Sequence, residues 1–186
     1  MVSFSYKGNL IEIIEGDITD VNCEAIVNAA NPSLMGGGGV DGAIHLKGGK
    51  TIDLECAELR RTKWPKGLPP GEADITSGGK LKAKYVIHTV GPIYRGQEED
   101  AETLYSSYYR SLEIAKIHGI KCIAFPAIST GIYGYPFEEA SVIALKAVTD
   151  FLSNKEGYII KFVLYGQARY QTFVSLASDF LMAYNP

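Results

Sequence analysis

The sequence contains few cysteines. Its three cysteines, Cys23, Cys56 and Cys122, are odd in number and widely spaced along 186 residues. This pattern argues against a disulfide framework and against a closely spaced zinc site. We therefore predict that all three are small, buried, unpaired residues in a reduced environment.

The sequence also lacks a basic block and a long apolar run. Lys and Arg number 18 against 21 Asp and Glu, and the cations are scattered, so no bulk nucleic-acid binding is expected. A single nucleotide remains compatible, because backbone amides and helix N-termini can hold a pyrophosphate. No stretch approaches the roughly 18 apolar residues of a membrane span, and the N-terminus does not resemble a leader. We expect a soluble, cytoplasmic, monomeric protein.

What the sequence does contain is an alternation of strand-like and helix-like segments over a length that suits one domain, 1–186. This alternation predicts a three-layer α/β/α sandwich around a mostly parallel sheet. The predicted strands are 10–14, 24–28, 72–76, 85–90, 122–125 and 158–165. The predicted helices are 40–47, 53–61, 101–118, 137–152 and 170–182.

Ligands of such sheets collect beyond the carboxyl ends of the strands, so the loops there are the first candidates for a site. The loop after the first predicted strand is Gly16-Asp17-Ile18-Thr19. Asp17 could accept hydrogen bonds from an adenine amino group. A simple turn, with Asp17 as its capping residue, is the alternative.

Four consecutive glycines, residues 36–39, form the second unusual loop. Glycines are costly to order, so a folded chain keeps them where φ must be positive or where a ligand approaches the backbone. They lead into a predicted helix start, which suits phosphate binding, although the spacing matches neither a P-loop nor a Rossmann motif. Asn31 and Asp41 flank the glycines. A merely flexible loop is the alternative.

A third loop, residues 126–136, carries Ser129, Gly131, Tyr133 and Gly134 at another predicted helix N-terminus. Two such loops could grip one pyrophosphate from both sides. Tyr133 could face a sugar, and Tyr165, at the end of the last strand, could stack on a base. Ordinary packing is the alternative for both tyrosines.

The three histidines give little support for catalysis. His45 lies four residues after Asp41, on the same face of the predicted helix, while His88 falls in a strand and His118 near a helix end. We predict structural roles for all three, with His45 able to support Asp41. Since no Ser-His-Asp arrangement or metal-ligand spacing is recognisable, we predict no metal and no cofactor.

The loops together resemble a known family. The matching segments, in order along the chain, are Gly16-Asp17-Ile18-Thr19, IVNAAN at 26–31, GGGGVDGAIH at 36–45, HTVGP at 88–92 and FPAISTGIYGYP at 125–136. They are similar to the motifs of the macro domains, in particular the MacroD type. The resemblance extends from about residue 10 to the final strand.

This resemblance implies a macro domain fold with a mixed sheet and a site for ADP-ribose. Asp17 would bind the adenine amino group, Ile18 would add a backbone contact, and Tyr165 would lie against the adenine. Asn31 would face the distal ribose. The diphosphate would be held by Gly37, Gly38, Gly39 and Val40, together with Ser129, Thr130, Gly131, Ile132 and Tyr133.

The MacroD resemblance further implies a hydrolase that removes mono-ADP-ribose from acidic side chains and deacetylates O-acetyl-ADP-ribose, with Asp41 and Asn31 as catalytic residues. Its partners would be ADP-ribose, its esters and mono-ADP-ribosylated proteins. A non-catalytic ADP-ribose reader and an ADP-ribose 1″-phosphate phosphatase are the alternatives. The chain departs from many relatives after His45, where it reads Leu46-Lys47-Gly48-Gly49 and they carry an arginine followed by small residues. It also departs at Gly166, where some relatives carry aspartate.

Overall fold

The computed structural model describes residues 1–184 and contains seven strands, five α-helices and one short 3-10 helix at Ile18–Asp20. The strands are β1 (Val2–Tyr6), β2 (Asn9–Glu15), β3 (Ala25–Ala30), β4 (Ala73–Ser77), β5 (Tyr85–Val90), β6 (Cys122–Phe125) and β7 (Ile159–Leu164). The helices are α1 (Gly39–Gly48), α2 (Lys50–Thr62), α3 (Glu98–Ile117), α4 (Phe137–Leu152) and α5 (Gln167–Tyr184).

All seven strands form one sheet in the order β1-β2-β7-β6-β3-β5-β4. The five central strands run parallel, while β1 and β4 are antiparallel edge strands. The sheet is therefore mixed, as predicted. Because the five parallel strands point the same way, their carboxyl ends share one edge of the sheet, and that edge carries all the predicted site loops.

Helices cover both faces of the sheet. Leu112 of α3, Leu145 of α4 and Phe173 of α5 belong to one large apolar core. On the opposite face, Ile44 of α1 and Ile52 of α2 belong to a second core. The predicted three-layer α/β/α arrangement is confirmed. None of the helices within residues 1–184 is long and apolar enough to cross a membrane.

The predicted elements all exist, and β1 is the one strand that the sequence prediction missed. Val2, Phe4 and Tyr6 alternate with polar residues, and β1 pairs with β2 across the turn at Lys7 and Gly8. Strand β5, strand β6 and helix α4 have the predicted bounds, and the other ends differ by up to three residues.

The prediction of three unpaired cysteines is wrong for two of them. The sulfur atoms of Cys23 and Cys122 are joined, with their Cα atoms 5.5 Å apart, although 99 positions separate them in sequence. The reason is the parallel pairing of β3 with β6, which sets Ala25 opposite Ile123 and brings the starts of both strands together. Cys56 is free and buried, as predicted.

Candidate functional site

A part of the candidate site follows each of the five central strands, at the carboxyl edge of the sheet. Asp17 follows β2, Tyr165 follows β7, loop 126–136 follows β6, Asn31 follows β3 and Gly91 follows β5. Neighbouring strands in the sheet therefore set the order of these parts in space. Asp17 and Tyr165 lie together at one end, where Gly16 N–H donates to the Leu164 carbonyl over 2.9 Å, and Asn31 lies toward the other end.

The side chains of Asn31 and Asp41 both lie close to Gly37. A Cβ atom added to Gly37 would be 3.2 Å from Asp41 Oδ2 and 3.3 Å from Asn31 Nδ2. Asn31 also orders the loop, because its Nδ2 donates to the Gly36 carbonyl over 3.1 Å and its Oδ1 accepts from Ser33 N–H over 3.0 Å. The structure thus brings the two predicted catalytic residues together beside one glycine.

The glycine loop is ordered by its backbone conformation. Gly36 has φ of 94° and Gly39 has φ of 57°, values that side-chain-bearing residues rarely adopt. Helix α1 begins at Gly39, so Asp41 lies in its first turn, where the partial positive charge of the helix N-terminus favours a carboxylate. Gly37, Gly38 and Gly39 are exposed, which leaves this backbone open to a ligand.

Loop 126–136 is held in place by its neighbours. Ser129 has φ of 66°, and its Oγ donates to the Pro92 carbonyl over 2.8 Å. Thr130 is bound by Arg169 of α5, whose Nη1 donates to Thr130 Oγ1 over 2.8 Å and whose Nη2 donates to the Thr130 carbonyl over 2.9 Å. The side chains of Ser129 and Thr130 therefore support the conformation of the loop.

The tip of this loop presents Ile132 and Tyr133. Ile132 is 99% exposed and Tyr133 is partly buried. The pKa of Tyr133 is raised, first by burial and then by the negative charge of Asp41. The phenol is therefore within the electrostatic range of Asp41, which places loop 126–136 beside the glycine loop.

At the other end of the site, Asp17 is already engaged. Its Oδ1 accepts from Thr19 N–H over 2.9 Å, and its Oδ2 pairs with Lys47 Nζ over 3.0 Å. The pKa of Asp17 is lowered, chiefly by the hydrogen bond from the Thr19 side chain. Tyr165 is 82% exposed, so its ring is accessible to a planar ligand. At this end of the site, Asp17 therefore caps the short helix, while the Tyr165 ring is exposed to solvent.

Behind Asp41 lies a buried network of polar side chains that the sequence prediction missed. Asn28 Nδ2 donates to Asp41 Oδ1 over 2.9 Å and to His88 Nδ1 over 3.1 Å. Since His88 Nδ1 accepts, Nε2 carries the proton and donates to Thr76 Oγ1 over 2.9 Å. Burial lowers the pKa of His88 to about 4, so this ring is neutral. The parallel register, which pairs Asn28 with His88, creates the network.

His45 lies between two carboxylates. Its Nδ1 is 2.7 Å from Asp53 Oδ1, and its Nε2 is 3.4 Å from Asp41 Oδ1. Within residues 1–184, Nε2 is buried without a well-aligned hydrogen bond. The pKa of His45 is raised, chiefly by its contact with Asp41. Burial lowers this pKa, and Asp53 raises it further. The sequence suggested the Asp41–His45 pairing from helical spacing but not the part played by Asp53.

His45, Cys56 and His88 place ligand-type atoms within 4.8 Å of one another. Their positions in sequence gave no sign of this cluster. Both ring nitrogens of His88 are engaged, and burial raises the pKa of the Cys56 thiol to about 12. His45, Cys56 and His88 thus form a buried cluster of polar side chains.

The comparisons with known proteins agree with this fold. The family model for the macro domain matches residues 27–144. The chain is 53% identical over 146 residues to a Citrobacter rodentium protein named O-acetyl-ADP-ribose deacetylase, covering 78% of this chain and 81% of the relative.

Two solved structures are similar over most of the chain. The Oceanobacillus iheyensis macrodomain with ADP has a TM-score of 0.94 at 40% identity, covering 98% of this chain and 97% of the other. The Trypanosoma brucei macrodomain in complex with ADP-ribose has a TM-score of 0.80 at 38% identity, covering 89% and 68%. The fold and the order of the candidate loops define a three-layer α/β/α domain whose candidate site lies at the carboxyl edge of its sheet. More specifically, this chain belongs to the macro domain family.

Proposed function

We propose that this protein binds ADP-ribose along the carboxyl edge of its sheet and hydrolyses ADP-ribosyl esters. The observation that carries the proposal is the placement of the Asn31 and Asp41 side chains beside Gly37, next to the N-terminus of α1. A phosphate cradle and a base beside it are the two parts that such a reaction needs.

The order of the strands gives the ligand a direction. The adenine would lie at the end where Tyr165 exposes its ring and Asp17 presents a carboxylate. The diphosphate would cross the backbone of residues 37–40 and 129–133, where two loops expose amide groups near a helix N-terminus. The distal ribose would then reach Asn31 and Asp41.

In the proposed reaction, Asp41 accepts a proton from a water molecule that attacks the anomeric carbon of the distal ribose. The bond from that carbon to the ester oxygen breaks, and the acidic side chain of the protein substrate leaves as a carboxylate. Asn31 would fix the ribose hydroxyls, so that the water meets the reactive carbon. Positioned base assistance of this kind contributes about 10²–10⁴ in rate.

The name of the Citrobacter rodentium relative supports a second activity of the same site, deacetylation of O-acetyl-ADP-ribose. Here the water would attack the acetyl carbonyl, again with Asp41 taking its proton. The two activities share the cradle and the base and differ in the bond that breaks.

The proposal is tested by turnover of a glutamate-linked mono-ADP-ribosylated protein, alongside calorimetric binding of free ADP-ribose. We expect the wild-type protein to do both, and Asp41→Ala and Asn31→Ala to lose turnover. Asp179→Ala, which removes an exposed aspartate from α5, is the matched control and should keep full activity. Binding without turnover would identify a non-catalytic reader. Phosphate release from ADP-ribose 1″-phosphate would identify a phosphatase. Either result in the absence of ester hydrolysis would overturn the proposal.

A further inference from the structure

Asp53 lies outside the ligand-facing loops, on α2, and yet it contacts the residue that supports Asp41. Its carboxylate is 2.7 Å from His45 Nδ1, and its side chain is 51% exposed to solvent. On the far side of the ring, His45 Nε2 faces Asp41 Oδ1 over 3.4 Å. The three side chains therefore form a line from solvent to the buried carboxylate.

This arrangement determines which ring nitrogens of His45 carry a proton. A carboxylate at Nδ1 holds a proton on that nitrogen. In the neutral ring, Nε2 would then present a lone pair to the Asp41 carboxylate, which is repulsive. In the imidazolium form, Nδ1–H donates to Asp53 and the positive ring faces the Asp41 carboxylate across 3.4 Å. The geometry therefore favours the charged ring, and the cation offsets the cost of burying the negative charge of Asp41.

We propose that Asp53 is a positioning residue that acts through His45 to fix the charge and orientation of Asp41. This inference rests on the proposed hydrolase function. It concerns a residue that would never touch the substrate.

The other groups that pack around His45 determine how strongly the charge of Asp53 influences its protonation. On α2, Cys56 is buried and its thiol is neutral at ordinary pH. From β5, His88 packs with its ring centroid 6.2 Å from that of His45, and it is also neutral. Among residues 1–184, Asp41 and Asp53 are the remaining charged groups that contact the ring. Removing the charge of Asp53 thus removes one of the two carboxylates that stabilise the imidazolium.

The proposal predicts a specific change in the pH profile. His45 is protonated below its raised pKa and supports Asp41 there, so kcat falls as the pH rises through that value. Asp53→Asn keeps an oxygen acceptor for Nδ1–H but removes the charge. We expect the alkaline limb of kcat to move to lower pH, with a loss of about tenfold on the alkaline side. Activity should recover as the pH is lowered, and KM should stay unchanged.

Glu58→Gln is the matched control. It removes one negative charge from the same helix, where Glu58 is exposed and pairs with Arg61. Its pH profile should superimpose on that of the wild type. An Asp53→Asn profile that also superimposes on the wild type would overturn the proposal, and so would an equal loss at every pH.

A second readout does not depend on turnover. The chain has three histidines, so their ring protons can be followed individually by NMR as the pH changes. The His45 titration should move to lower pH in Asp53→Asn and stay in place in Glu58→Gln. If the titration moves but no variant hydrolyses esters, the proposed function fails while the Asp53–His45 coupling stands. An unmoved titration would contradict the coupling itself.

Discussion

At the scale of single residues, Gly91 and Ser129 determine how closely the loops after β5 and β6 approach each other. Gly91 is buried directly against Ser129 Oγ and Ile128 Cγ2, which leaves no room for a Cβ atom. Ser129 in turn uses its Oγ to bind the Pro92 carbonyl. The backbone of loop 126–136 is therefore held against the end of β5 by contact with a glycine.

Gly91→Ala should consequently be destabilising. Overpacking of this kind costs about 1–3 kcal/mol, and here it would displace the loop that is proposed to hold the diphosphate. We expect a lower denaturation midpoint in a denaturant titration and weaker ADP-ribose binding by calorimetry. Adding Ser129→Gly, which removes the obstructing hydroxyl at a position with positive φ, should recover part of the stability. An unchanged midpoint for Gly91→Ala would show that the loop accommodates the added Cβ atom without loss of stability, which contradicts the predicted overpacking.

The surroundings of Asp41 show how far residue-scale prediction reached. Helical spacing predicted that His45 lies near Asp41, because residues i and i+4 share a helix face. The parts played by Asn28 and Asp53 were not predictable in this way. Asn28 reaches Asp41 from a neighbouring strand, and Asp53 comes from the next helix, so both contacts depend on tertiary packing that spacing along the chain does not encode.

At the scale of elements, helix α5 contributes to the site without lying at a strand end. Arg169, in its first turn, donates to both the side chain and the backbone of Thr130 and lies 4.8 Å from the centre of the Phe137 ring. This double contact links α5, loop 126–136 and the start of α4. The loop conformation is thus set by a helix that follows it by more than thirty positions in sequence.

Arg169→Ala should loosen loop 126–136 and weaken ADP-ribose binding. Net hydrogen bonds to a charged group are worth roughly 1.5–3 kcal/mol, but this arginine is exposed, so we expect an increase in Kd of about three- to tenfold. Arg61→Ala, which removes an exposed arginine paired with Glu58, should leave the affinity unchanged. Equal calorimetric affinities for the two variants would mean that α5 does not order the loop.

The predicted elements were most accurate where a turn residue and an apolar pattern agree. Helix α4 begins directly after Pro136, and β6 is a short apolar segment, and both have their predicted bounds. Strand β1 was missed although Val2, Phe4 and Tyr6 alternate. A single edge strand of mixed polarity gives a weak signal, and its pairing with β2 supplies the stability that the segment lacks alone.

At the scale of the whole molecule, the Cys23–Cys122 pair closes a large part of the chain at the edge opposite the site. It joins the region before β3 to the start of β6, whereas the candidate site lies beyond the carboxyl ends of these strands. Stability and ligand binding should therefore respond differently to its loss.

We expect Cys23→Ser to lower the free energy of unfolding by about 2–4 kcal/mol relative to the oxidised wild type. ADP-ribose binding should be unchanged at a temperature where both proteins are folded. Reductant should destabilise the wild type and have no further effect on Cys23→Ser, which makes the variant its own control. Thiol titration of the unreduced protein in denaturant should find one free cysteine, and three free thiols would contradict the pairing.

The architecture of the molecule was predictable because alternating segments permit few arrangements, but the strand order was not. The order β2-β7-β6-β3-β5 places residues from distant parts of the chain side by side. It brings Cys23 to Cys122 and Asn28 to His88, two contacts that the sequence prediction lacked. The loops of the candidate site were found from composition and motif, since glycines and helix starts mark them locally.

The proposed role of Asp41 is that of the base in an ADP-ribosyl ester hydrolase. It is tested most directly by single-turnover hydrolysis of glutamate-linked ADP-ribose with Asp41→Asn, which keeps the size of the side chain and removes its charge. We predict that the rate falls by about 10²–10⁴ while calorimetric affinity for ADP-ribose stays within a few-fold of the wild type. A wild-type rate in the Asp41→Asn protein would contradict the account.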